Sequence, residues 1–101
     1  MGKRLDLQKL LLDLLGSGNV YYQPPSTTNM QYPAIVYSRD QIKTTYANDS
    51  VYSIKIAYEV ILIDEDPDSI YIGKIALLPN CRWTKNYTMN NLNHDAFTLY
   101  Y

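Results

Sequence analysis

The sequence predicts an α+β domain, a mostly antiparallel sheet of four to five strands with two helices packed against it. Three patterns carry this expectation. Leucines recur at helical spacing near the N-terminus. Residues 51–64 alternate in the period of a strand. Two further alternating segments flank Asn90-Asn91. At 101 residues the chain makes one domain, 1–101, with room for a single modest core.

The first helix is expected over residues 5–15. Leu7, Leu10, Leu11 and Leu14 share one face, Leu12 and Leu15 widen it, and Gly16 and Gly18 end it. An extended piece at 20–23 leads into Pro24-Pro25, which imposes a rigid connection. Residues 32–37 read as a strand, with Pro33 fitting only its start or an edge. The polar stretch 40–50 reads either as a long hairpin with 41–46 in its arms or as a loop. Residues 51–64 form the central strand. Tyr52, Ile54, Ile56, Tyr58, Val60 and Leu62 share one face, and the other face turns apolar at Ile61 and Ile63, which calls for a helix over that end too.

A second helix should begin at Asp66, with Asp66 as its cap, Pro67 at the first helical position and Asp68 in the first turn. Ile70, Ile72, Ile75, Ala76 and Leu78 supply its apolar positions, and Pro79 closes it. Two strands follow as a hairpin about Asn90-Asn91. Cys81, Trp83, Lys85 and Tyr87 alternate with Arg82, Thr84, Asn86 and Thr88 in the first. Asp95, Phe97, Leu99 and Tyr101 alternate with His94, Ala96, Thr98 and Tyr100 in the second, the Phe97 set facing the core.

Composition narrows the function classes. A net charge of -1 supplies no field that attracts nucleic acid or an anionic membrane. One Cys and one His leave no intramolecular disulfide and no zinc ligand set. Lys3 and Arg4 ahead of the leucines imitate an export signal, but Asp6, Gln8, Lys9 and Asp13 interrupt it. The expectation is an amphipathic helix of a protein made in the cytoplasm. There are 11 tyrosines against one Phe and one Trp, and Tyr suits surfaces buried only part of the time, such as interfaces.

Chemical motifs are weak. Asp64, Asp66 and Asp68 match the first ligand positions of a calcium loop, but Ser69 stands where that loop needs Gly and Ile75 where it needs Glu. Cys81 and His94 face each other only if the hairpin register allows, and no oxyanion-hole glycines accompany them. Neither nucleotide fingerprint is present. Arg82 and Lys85 lie near Trp83 and Tyr87, yet strict alternation separates Arg82 from Trp83. The reading is an interaction protein with no catalytic, cofactor or metal site.

Four stretches, in order, resemble the tail-terminator (tail-completion) proteins of phages and prophages of low-GC Gram-positive bacteria. They are Asn19-Val20-Tyr21-Tyr22-Gln23-Pro24-Pro25, Met30-Gln31-Tyr32-Pro33-Ala34-Ile35-Val36-Tyr37, Ile63-Asp64-Glu65-Asp66-Pro67-Asp68-Ser69 and Leu92-Asn93-His94-Asp95-Ala96-Phe97-Thr98-Leu99-Tyr100-Tyr101. Glu65 departs from the family, whose members tend to carry a basic residue there. The resemblance implies a ring of copies, commonly a hexamer, that caps the finished tail tube and meets the head connector or stopper. It implies a virion protein with the major tail tube protein as partner, DNA as passing cargo in the lumen, no cofactor and no membrane. Tyr32, Lys43, Tyr46 and Tyr100 are then the candidate contacts to a neighbouring copy or the tube. Adaptors and stoppers of the same neck, or a phage accessory binding protein, are the alternatives.

Overall fold

The computed structural model describes residues 3–16, 18–24, 31–47 and 50–100. It is an α+β fold with two helices and one five-stranded sheet. The elements run α1 (Lys3–Leu15), β1 (Val20–Tyr22), β2 (Ala34–Ala47), β3 (Ser50–Asp64), α2 (Ile70–Ala76), β4 (Cys81–Met89) and β5 (Leu92–Tyr100). The sheet order is β1-β2-β3-β5-β4. All neighbours are antiparallel except β1, which runs parallel to β2.

Alternation along β3 builds the core. Tyr58, Val60 and Leu62 are buried on one face, with Ile35 and Tyr37 beside them on β2 and Phe97 and Leu99 on β5. Leu7, Leu11 and Leu15 of α1 and Ile75 of α2 close over this face. Each such side chain contributes on the order of 1.5–3 kcal/mol when fully buried. Gly16 ends α1 with a positive φ of 75°, and its N–H donates to the Leu12 carbonyl at 2.9 Å. Asn90 and Asn91 both have positive φ, 53° and 62°, the geometry of a tight hairpin turn matched to strand twist.

A polar cluster fixes α1 to the sheet. The Tyr37 hydroxyl donates to Gln8 Oε1, and Gln8 Nε2 donates to the Val20 carbonyl at 3.3 Å. Arg4 lies over the Tyr22 ring at 4.6 Å, and that ring contacts Tyr37 at 4.9 Å between centroids.

Three expectations need correction. Asp66 does not cap α2. Ser69 does, its Oγ accepting from the Tyr71 N–H at 3.3 Å, and the helix begins at Ile70. The carboxylates upstream are used in successive turns: Asp64 Oδ1 accepts from Asp66 N–H at 3.1 Å, and Asp66 Oδ1 from Asp68 N–H at 2.9 Å. The chain therefore spends residues 65–68 turning off the strand before a helix can start. Second, no described helix lies over Ile61 and Ile63, because both helices pack on the Tyr58 face. Neighbouring side chains shield the second face instead, as antiparallel sheets permit.

Third, β4 does not alternate throughout. An irregularity between Trp83 and Lys85 shifts the pairing, so Cys81, Trp83, Asn86 and Thr88 share the helix side while Arg82, Lys85 and Tyr87 share the open side. In the same hairpin Cys81 pairs with Leu99 and His94 with Tyr87, at opposite ends. No thiol–imidazole pair exists there. Of residues 40–50, the described ones form the arms of the hairpin, β2 running to Ala47 and β3 starting at Ser50, while 48–49 lie outside the described residues.

Two stability tests follow from these contacts. Ser69→Ala should cost about 0.5–2 kcal/mol in denaturant unfolding, and Asp66→Ala should cost less. Burial pushes the Tyr37 hydroxyl above its usual value near 10, against the opposing pull of the Arg4 hydrogen bond and charge. Its contribution is whole below about pH 10 and falls as pH rises, because the unfolded chain releases that proton first. Tyr37→Phe should flatten the alkaline decline in melting temperature without abolishing it, since burial and Glu59 also raise Tyr87.

Candidate interaction surface

The two sides of β3 are not covered equally along its length. β5 accompanies β3 from Ala57 to Asp64, whereas β2 accompanies it out to Ser50. Beyond Ala57 the β2–β3 pair therefore continues as a two-stranded ribbon, reaching about 20 Å past the sheet at the usual rise per residue. The molecule measures 51 × 24 × 24 Å along its principal axes, in keeping with this extension. A hairpin without a third strand or helix cover is marginal in water on its own. Ile42 on this ribbon is 53% exposed.

The candidate contact residues do not form one cluster. Lys43 and Tyr46 sit on the ribbon, at register positions opposite Lys55 and Val51. Tyr100 stands at the ribbon's root, opposite Ala57 on the open face, and is half-buried with no described helix above it. Tyr32 is exposed just ahead of β2, at the other end of the sheet, roughly 30 Å from Lys43 along the strand. Asp66 lies in the acidic turn at that same distant end.

Two groups on the terminal hairpin escaped the sequence reading. Asp95 is only 5% exposed on the helix side. Its Oδ1 accepts from Trp83 Nε1 at 3.2 Å and from Asn86 Nδ2 at 3.1 Å. Trp83 is thus held in one orientation while remaining 48% exposed on edge strand β4. The regular alternation assumed from sequence put Trp83 and Asn86 on opposite faces, which hid this cluster. On the open face Tyr87 stacks on His94 at 4.8 Å, with the Lys85 ammonium 5.4 Å from the Tyr87 ring. Thr84 Oγ1, at the irregularity, donates to the Ala96 carbonyl at 2.9 Å.

Burial raises the Cys81 thiol, which keeps it protonated and weakly nucleophilic. No group of three or more His, Cys, Asp or Glu residues placed to hold a metal occurs among the described residues. No described helix is long and apolar enough to cross a membrane. The described residues present two sheet edges and a projecting two-stranded ribbon. No protein-family model, curated protein or solved structure matches the chain.

The ribbon is separable from the core by this geometry. Replacing residues 44–54 with Asn-Gly, a turn suited to the twist of the flanking strands, should leave the far-ultraviolet spectrum sheet-rich and the melting transition cooperative. Collapse of the transition would show the ribbon to be part of the folding core.

Proposed function

We propose that this chain is a structural virion protein that caps the completed tail tube of a phage and joins it to the head connector as a ring, six-fold in the commonest form. The observation that carries the reading is the set of four ordered stretches resembling tail-terminator proteins. The fold supports it in two ways. A one-sided sheet leaves both edge strands available for neighbours, and the β2–β3 ribbon supplies an arm that reaches past the domain. Lys43 and Tyr46 on that arm, and Tyr100 at its root, are the residues assigned to contacts with a neighbouring copy or the tube. Tyr32, at the opposite end of the sheet, is assigned to the same class of contact, with a neighbouring copy or the tube. DNA passes through the lumen as cargo.

Particle imaging tests this reading. Gold-labelled antibody or averaged micrographs should place several copies on the tail axis, where tube meets head. A single copy per particle, or density off the axis, would instead make the chain an accessory protein. A position on the head side of the junction, away from the tube, would make it an adaptor or stopper.

A further inference from the structure

We infer that copies of this chain associate head to tail by strand pairing, the β4 edge of one copy joining the outer edge of β2 in the next. The inference rests on the ring reading for its closure but not for the pairing itself.

The two free edges are matched in length. β1 accompanies β2 from Ile35 to Tyr37, so among the described residues the stretch from Ser38 to Ala47 carries no strand on its outer side. That stretch is one residue longer than β4, which has nine residues and also lies at the end of the sheet order. They are matched in direction as well. β2 is antiparallel to β3, β3 to β5 and β5 to β4, so β4 runs opposite to β2. A second copy in the same orientation therefore presents β4 antiparallel to β2, in line with β1.

The backbone groups that face outward follow from bonds within the chain. Ile35 N–H donates to the Asn19 carbonyl, and the Tyr37 carbonyl accepts from Gln23 N–H, so both residues face the outer edge of β2. Alternation gives Arg39 next and, past the irregularity at Asp40, Ile42 and Thr44. On the other edge, Tyr100 N–H donates to the Asn80 carbonyl, so Tyr100, Thr98 and Ala96 face β4. The partners of the remaining β5 residues then face outward: Trp83 and, past the irregularity, Asn86 and Thr88.

Both outward sets carry their side chains on the helix side of the sheet. Joining the edges brings two exposed apolar side chains, Ile42 and the Asp95-anchored Trp83, onto one face of the combined sheet, where they can cover each other. A half-exposed Trp held by a buried carboxylate is the kind of anchor that dominates protein interfaces. The partner is a second copy rather than an arbitrary strand because one chain supplies both edges, within one residue of each other in extent, opposite in direction and with exposed apolar side chains on the same face. Such a contact is heterologous and generates a ring when its rotation closes.

Disulfide trapping tests the pairing. In a Cys81→Ser background, Ile42→Cys or Thr44→Cys is combined with Asn86→Cys or Thr88→Cys, and the concentrated protein is oxidised. Outward residues paired across the joint sit about 5.5 Å apart at Cα, within disulfide reach. At least one double variant should give a ladder of covalent dimers, trimers and higher species, while each single-cysteine variant stays monomeric. Adding Thr44→Pro, whose lost N–H faces away from β3, should abolish the ladder with the circular dichroism spectrum preserved. Absence of a ladder from all four double variants would overturn the inference, as would dimers from the variants with a cysteine on β4 alone, which report a two-fold contact instead. A ladder that runs into open fibres keeps the pairing and removes the ring. A tail-end ring without the ladder keeps the ring and removes the pairing.

Discussion

The burial of Tyr58, Val60 and Leu62 beneath α1 and α2 is the constraint from which the rest of the molecule follows. It requires β3 to have strands on both sides and helices over one face, and among the described residues it is satisfied from Ala57 to Asp64. Helices of 13 and 7 residues cannot roof a sheet longer than that. The roof is tied down at one end by Gln8 and Arg4, which reach β1 and β2 through Val20, Tyr22 and Tyr37. What lies outside this roofed block is left to solvent or to partners: the ribbon, the open face, and the two edges.

The open face manages without a roof by its choice of residues. Ala34, Ala57 and Ala96 are buried there because they are short enough to be covered by larger neighbours in the pleat. Glu59 and Arg82, one on a central strand and one on the edge, flank Thr98 in the same cross-strand row. This mixture of small, aromatic and charged residues needs no helix, which is why apolar Ile61 and Ile63 misled the expectation of one.

How far the sequence revealed this depends on whether a feature follows from local period. The α1 leucines, the β3 alternation, the Phe97–Leu99 core face and the Asn90-Asn91 turn are all local, and all were legible. The parallel placement of β1 is not, because three residues carry no directional signal and their partner is set by the Asn19 and Gln23 backbone bonds. The cap was misplaced since Asp66 and Ser69 are both good capping types, and only the angle needed to leave β3 decides between them. The Asp95 cluster was hidden by one extra residue in β4. A shift of that kind reverses every later side chain, yet Thr84 carries no composition that announces it. Of the proposed contacts, tyrosine excess pointed to interfaces in general but not to where they lie. Lys43 and Tyr46 turned out to share the ribbon, with Tyr100 at its root and Tyr32 at the far end.

The same two irregularities bear on how exposed edges stay harmless. A long, flat, apolar edge invites indiscriminate pairing, and folded proteins blunt such edges with charges, bulges and short strands. This chain uses all three: β1 is short, Arg82 and Lys85 flank Trp83 on β4, and both free edges carry an irregularity, at Asp40 and between Trp83 and Lys85. A bulge raises local twist, so a regular strand fits poorly along either edge. Two strands with increased twist of the same hand fit each other better than either fits a flat neighbour. Under the proposed head-to-tail pairing, the devices that discourage random aggregation also select a copy of the same chain, and they do so without adding a contact of their own. In that pairing specificity comes from what the edges reject, and the energy of joining from Trp83, Ile42 and the backbone groups beside them.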